Sequence, residues 1–293
     1  MNGALSVEQI VKAQHYVPVF YLKNFTDSSG KLQVYDRVEQ KFLSPFPKNI
    51  CCSRFLYETP WEDTKVNLGK HVLCNNIEKK FSEYESDYSA LVRRLLNICD
   101  PSKNRNALIC SHADREKLIS LVVNLFVRNP WAMELFEMNN IPEGLNSHPL
   151  TIAVRELMDA MGFGGADSLM KHSVKWADLL EHEEGGLVKD LKQEIAKLNF
   201  TFYYSSTGKF ITSSCPSCFG YLKNGQAAVH LPLSPHVIVW FGQNIVPRTV
   251  NNRMQIINAD AAMRINNIYF SFDVKRVRYL IGNSTSTLQE YLP

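Results

Sequence analysis

The chain has 293 residues, 45% hydrophobic and 21% charged, with a formal net charge of +3. That length and balance support a core without disulfides or a structural metal and exclude a chain too polar to fold. The charge excess is too small for the dense basic face of a dedicated nucleic-acid binder.

Seven cysteines are an odd number, and the first 16 residues lack the basic start and apolar stretch of a secretory signal; together they point to reduced thiols and a cytoplasmic setting. No apolar run reaches the roughly 20 residues that cross a bilayer. The longest, at 118–127, contains Asn124, so no membrane partner is expected.

In chain order, residues 31–37 alternate apolar and polar positions after the turn signal Asp27-Ser-Ser-Gly30 and predict a hairpin. Pro45 and Pro47 interrupt regular structure before Cys51, Cys52, Phe55 and Tyr57. Ile77, Phe81, Tyr84, Tyr88, Leu91 and Leu95 recur at spacings of four and three residues, which predicts a long helix with one face committed to packing. A second helix is expected over about 113–127, apolar enough in its latter half to be central, with Asn129-Pro130 ending it or passing the chain into another helix.

Residues 149–161, 166–182 and 187–198 read as helices, separated by Gly162-Phe-Gly-Gly165 and Gly185-Gly186. Strands are expected at 200–204, 209–212, 228–231 and 237–241. Between 250 and 267 the spacing of Met254, Ile257, Ala261 and Ile265 returns to helix, before a short strand at 269–272. The order lacks the alternation of a doubly wound sheet and gives α+β: a helix-rich N-terminal and middle region with a mainly antiparallel sheet from the second half. With no internal repeat or long polar linker, we expect a single domain over 1–293. Its helical part covers about 70–198 and its strand-rich part about 199–293, with an N-terminal extended segment packing on both.

Phosphate-binding loops, dinucleotide fingerprints, His-Glu-x-x-His and nucleophile elbows are absent from the sequence. Cys215-Pro-Ser-Cys218 has the spacing of a redox dithiol or half a zinc site, for which Cys51, Cys52 or His230 would have to supply partners; ordinary loop thiols are the plainer reading. Glu78 and Glu85 stand one heptad apart on the long helix, about 10 Å along its axis, each beside an apolar seam residue. Carboxylates at such a boundary suit metal binding or proton transfer, and equally suit surface ion pairs. His15 puts a titratable ring where the chain enters the fold. Lys275, Arg276 and Arg278 form a short basic run that reads as a solvated face.

The segment Gln14-His-Tyr-Val-Pro-Val-Phe-Tyr-Leu-Lys-Asn-Phe25 resembles the opening of the bacterial DUF4238 family, a domain of unknown function that starts with His-Tyr-Val-Pro-x-x-Tyr-Leu-x-x-Phe. The resemblance continues through Val34-Tyr-Asp-Arg37, Phe55-Leu-Tyr-Glu58, the helix of Ile77, Glu78 and Glu85, and Arg128-Asn-Pro130. It then covers Phe210-Ile-Thr-Ser213, Pro232-Leu-Ser-Pro235, and Asn258 with Ala262. Where the family usually has an aspartate after Phe-Ile-Thr-Ser, this chain has Ser214, so a carboxylate is missing. The resemblance implies a bacterial or phage-linked setting and no agreed activity. It singles out polar positions on an apolar framework: His15, Glu78, Glu85 and Arg128 as catalytic candidates, and Tyr16, Arg37, Ser213, Ser214 and Asn258 as ligand-binding candidates.

Two functions follow from these residue types. One is a nuclease-like hydrolase of nucleic acid or a nucleotide, with a divalent cation on Glu78 and Glu85, His15 as general base and Arg128 stabilising negative charge. The other is a non-catalytic ligand-binding or regulatory protein, linked to phage defence and acting through a protein partner, which the missing carboxylate favours. Against both stands a purely structural role for every polar position named.

Overall fold

The hairpin forms from strands Gln33–Asp36 and Lys41–Leu43, antiparallel with Tyr35 opposite Phe42. The chain is described by a computed structural model over residues 11–61, 71–102, 108–162, 164–180, 186–221, 227–242 and 252–292. The segment before Val11, the expected helix end at His182, the breaks at Phe163 and Gly185, and the boundary at Val250 lie outside the described residues. On its other side Gln33–Asp36 pairs with Tyr279–Gly282, and Thr212–Ser213 adds beyond that, so one four-stranded sheet joins both ends of the chain.

The N-terminal motif is mainly packing. Pro18 precedes the helical turn Val19–Leu22, and Tyr16, Val17, Tyr21, Leu22 and Phe25 are buried. The Tyr21 hydroxyl is hydrogen-bonded to Thr212 Oγ1 at 2.8 Å, which ties the motif to the second half of the chain. His15 is the member left at the rim, half-buried.

The long helix is Asn76–Ile98, burying Ile77, Phe81, Tyr88, Leu91, Val92 and Leu95. Helix His112–Val127 begins at a capping box, Ser111 with Asp114, and is buried from Leu118 to Val127 apart from the half-buried Ser120, as its composition predicts. Asn129 then caps Pro130–Leu135 by accepting from the Trp131 amide. Helices Pro149–Ala160, Ala166–Leu179 and Leu187–Ala196 follow.

A five-stranded sheet comes next, in the order Met254–Ile257, Phe200–Ser205, Val237–Phe241, Ala227–Pro232, Cys218–Tyr221. Alternation sends Phe200, Phe202, Val239 and Phe241 into the main core, and Tyr203, Ile238 and Trp240 under helix Ala259–Asn266. The molecule is α+β, and among the described residues one strand pair, Met254–Ile257 beside Phe200–Ser205, is parallel and the others are antiparallel. Among the described residues no helix is long and apolar enough to cross a membrane.

Three local expectations change. Residues 254–257 are strand, because Asn258 caps a helix that starts only at Ala259. Residues 267–271 form a 3-10 helix rather than a strand, their carbonyls turned partly to Arg37, whose Nη1 donates to Tyr269 O, Phe272 O and Val277 O. Only Thr212 of 209–212 is in a strand.

Candidate functional site

Arg128 is the C-cap of helix His112–Val127 and is fully buried. Its Nη1 donates to Glu85 Oε1 at 2.8 Å and to Asn124 Oδ1 at 3.4 Å, its Nη2 to His15 O at 2.6 Å, and its Nε to the Tyr57 hydroxyl at 3.1 Å. The guanidinium lies 4.1 Å from the Phe81 ring centroid. Burial opposes its charge, but Tyr57 and Glu85 outweigh burial and hold its pKa above the ordinary value. One side chain thus ties the N-terminal strand Ala13–His15 to both central helices.

Glu78 and Glu85 lie along the solvent-facing border of this seam, both half-buried. Glu85 is held by Arg128, whereas Glu78 Oε2 is buried with no hydrogen-bond partner among the described residues. Burial pushes the Glu78 carboxyl up to about 7; the Glu85 and Glu58 carboxylates push the same way, and Arg128 pulls it down. Arg128 is already paired with Glu85, so ionising Glu78 puts a second carboxylate at a half-buried edge without an ion-pair partner of its own among the described residues.

His15 Nε2 lies 3.1 Å from Lys48 O. A carbonyl only accepts, so that nitrogen carries the hydrogen and Nδ1 is the basic one. Burial, aided by Arg128, lowers the ring's pKa and keeps it neutral at pH 7.

Sequence reasoning missed the other half of this cluster. Buried Glu58 accepts from Gln14 Nε2 at 2.7 Å and from the amide of Asn75 at 3.1 Å, where Asn75, with φ of 63°, leads into the long helix. Lys175 Nζ donates to Glu58 O at 3.2 Å, and burial draws its pKa down to about 8 against the pull of Glu58. His172 Nδ1 meets Thr59 Oγ1 at 3.1 Å. The signal was present: Ser168, His172, Lys175 and Leu179 are buried at the four-three-four spacing of a helix seam, but three of the four are polar.

The remaining candidates lie apart from this cluster. Arg37 is spent on backbone carbonyls, and Tyr16 is buried beside the Cys51 thiol. Ser213 Oγ bonds the backbone of Cys215. Ser214 Oγ accepts from the amides of Arg278 and Tyr279 at 3.0 and 3.2 Å. Asn258 is the N-cap of Ala259–Asn266, its Oδ1 accepting from Ala261 at 2.9 Å. Asn258→Ala is therefore expected to cost about 1 kcal/mol in urea denaturation with ligand responses unchanged; a lost ligand response at full stability would return Asn258 to the site.

A groove of about 600 Å³ is lined by Val19, Lys23, Thr26, Phe46, Pro47 and Lys48, whose carbonyl meets His15 Nε2. Lys31 Nζ stands 5.5 Å above the Phe46 ring. The groove thus has cationic rims around an exposed aromatic face.

The donor set does not fit a divalent cation between Glu78 and Glu85. Glu85 Oε1 already holds a guanidinium, and among the described residues no group of three or more His, Cys, Asp or Glu side chains converges on one point. That also leaves Cys215 and Cys218 without zinc partners in His230 or Cys51.

No curated protein and no solved structure matches the chain. Residues 13–285 match the family described as protein of unknown function (DUF4238), and the chain belongs to that family.

Proposed function

We propose that this chain is a hydrolase of a phosphodiester or nucleotide in which Glu78 transfers the proton and the lysine-rimmed groove takes the phosphate-bearing part of the substrate. One observation carries the reading: a solvent-edge carboxyl with an unpartnered oxygen and a pKa of about 7, beside a fixed arginine–glutamate pair. A group that titrates near the working pH serves as either acid or base. His15 Nδ1, the ring nitrogen not committed to the Lys48 carbonyl, is the second proton acceptor. Arg128 has its donors committed to protein acceptors, so it positions Glu85 and the His15 backbone and does not contact substrate. The reaction is written without a metal because the donor set does not fit one.

The test is turnover of nucleoside triphosphates and short DNA and RNA strands by the wild-type chain, Glu78→Gln, and the double variant Lys23→Glu with Lys48→Glu. Glu78→Gln should lower kcat by about 100-fold with binding retained, and the lysine reversals should raise KM. Absence of turnover in the wild type, together with no thermal shift by any of these ligands, would remove the hydrolase.

A second reading rests on all three guanidinium nitrogens of Arg128 donating to protein acceptors. It makes the cluster a packing hub of a non-catalytic, ligand-binding or regulatory protein. Ligand-induced stabilisation without turnover, unaffected by Glu78→Gln, is its signature.

A further inference from the structure

The Cys215–Cys218 loop takes no part in that site. Both cysteines are fully buried. Cys218 Sγ–H donates to Cys215 O at 3.4 Å, and the two thiols also interact with each other. Cys218 opens a strand and faces His230 across it.

Against them lies Arg276, 8% exposed, its guanidinium carbon 3.6 Å from the Phe272 ring centroid and 4.7 Å from that of Trp131. Its Nη2 donates to Phe219 O at 2.9 Å, while its Nε has no partner among the described residues. The same holds for Ser217 Oγ and both ring nitrogens of His230. A buried guanidinium without a counter-charge is costly. No described carboxylate forms an ion pair with Arg276; the Cys215 and Cys218 thiols are within its reach, and Cys215 is the one it hydrogen-bonds.

We propose that Cys215 and Cys218 form an oxidisable dithiol whose oxidant is a hydroperoxide, with Arg276 holding the attacking Cys215 thiolate. As a thiol, Cys215 has only the Ser217 carbonyl at 3.6 Å to donate to. As a thiolate it accepts from Cys218 S–H and faces the guanidinium. The acidities run that way: the Cys218 hydrogen bond and Arg276 draw Cys215 below the ordinary thiol range in spite of burial, whereas burial raises Cys218. The other titratable groups facing the pair are His230, Tyr21 and Tyr269. Burial and Arg276 hold His230 down at about 3, and burial raises both phenols, so none competes as counter-ion.

Sulfurs without exposed surface exclude a bulky disulfide oxidant, so the oxidant is the small hydrogen peroxide, which reaches the pair through local opening of the loop. The Cys215 sulfur attacks one peroxide oxygen, the O–O bond breaks, and the departing hydroxide takes a proton to become water. The Cys218 sulfur then attacks the sulfenic sulfur of Cys215: the S–S bond forms, the S–O bond breaks, and the departing hydroxide takes the Cys218 proton to leave as a second water. Two thiols are oxidised and one peroxide is reduced.

The experiment treats the folded full chain with hydrogen peroxide, blocks remaining thiols under denaturing conditions, and maps peptides by mass spectrometry. The expected result is loss of two hydrogens at the 215–218 pair, reversed by dithiothreitol, ahead of modification at the half-buried Cys52 and Cys74. In Cys218→Ser, dimedone added as the peroxide-treated chain is denatured should trap a sulfenic acid at Cys215, and Arg276→Gln should slow oxidation about tenfold. Oxidation of Cys52 or Cys74 while the 215–218 pair stays reduced in the wild type would overturn the proposal, independently of whether any variant folds.

Discussion

Arg128→Met is expected to lower the stability of the chain by about 3–5 kcal/mol, the largest effect of any single change at the site. The methionine fills much of the volume against Phe81, so the loss is not a cavity effect. It comes from stranding the groups the guanidinium serves: Glu85 loses its partner, and Tyr57, Asn124 and the His15 carbonyl lose a donor at once. Arg128→Lys should recover little, since one ammonium cannot span acceptors lying in different directions. Glu85→Gln should cost less, about 1–2 kcal/mol, because the amide oxygen still accepts from Nη1. Urea denaturation followed by circular dichroism at pH 7 separates the three. A loss below about 1 kcal/mol in Arg128→Met would show that the N-terminal strand and the two helices hold together without this side chain.

The pattern of such hubs explains what the sequence makes visible. Helix Asn76–Ile98 was legible because its seam residues are apolar, and the hairpin at Gln33–Asp36 because alternation and a turn signal coincide. Glu78, Glu85, Arg128 and His15 are recognisable one by one as polar residues on an apolar framework, but that the cation beside Glu85 is the Arg128 guanidinium is not legible locally. The Arg128 bond to Glu85 spans 43 positions and that to His15 spans 113.

Lys175 and Glu58 are 117 residues apart, and a polar side chain on a buried seam reads locally as surface. The same non-local logic hid the pairing of Tyr279–Gly282 with Gln33–Asp36. At Met254–Ile257 the apolar spacing satisfied a helix, and what decides for strand is the adjacent edge of Phe200–Ser205, which local periodicity does not contain.

The other large effect is a gain. Glu78→Gln should stabilise the chain by about 1–2 kcal/mol at pH 7.5–8, with the advantage fading to nothing towards pH 4.5. The folded carboxyl titrates at about 7, above its ordinary 4.5. Between those values the folded chain binds the proton more tightly than the unfolded one. The stabilising contribution is therefore complete below pH 4.5 and is lost as pH rises through 7. The full shift is worth about 3 kcal/mol, reduced here because the group sits at a half-open edge. Glutamine resembles the protonated acid and has nothing to lose on that climb. The range stops at pH 8 because Lys175 begins to release its proton there. Denaturation midpoints of both chains across this range give the difference directly. If the two curves stay parallel, the titrating group is not Glu78, and the acid–base reading of the site goes with it. If they diverge above pH 4.5 and level off past 7, the carboxyl carries a proton at neutral pH at a measurable cost in stability, as expected of a residue kept for proton transfer rather than for holding the fold.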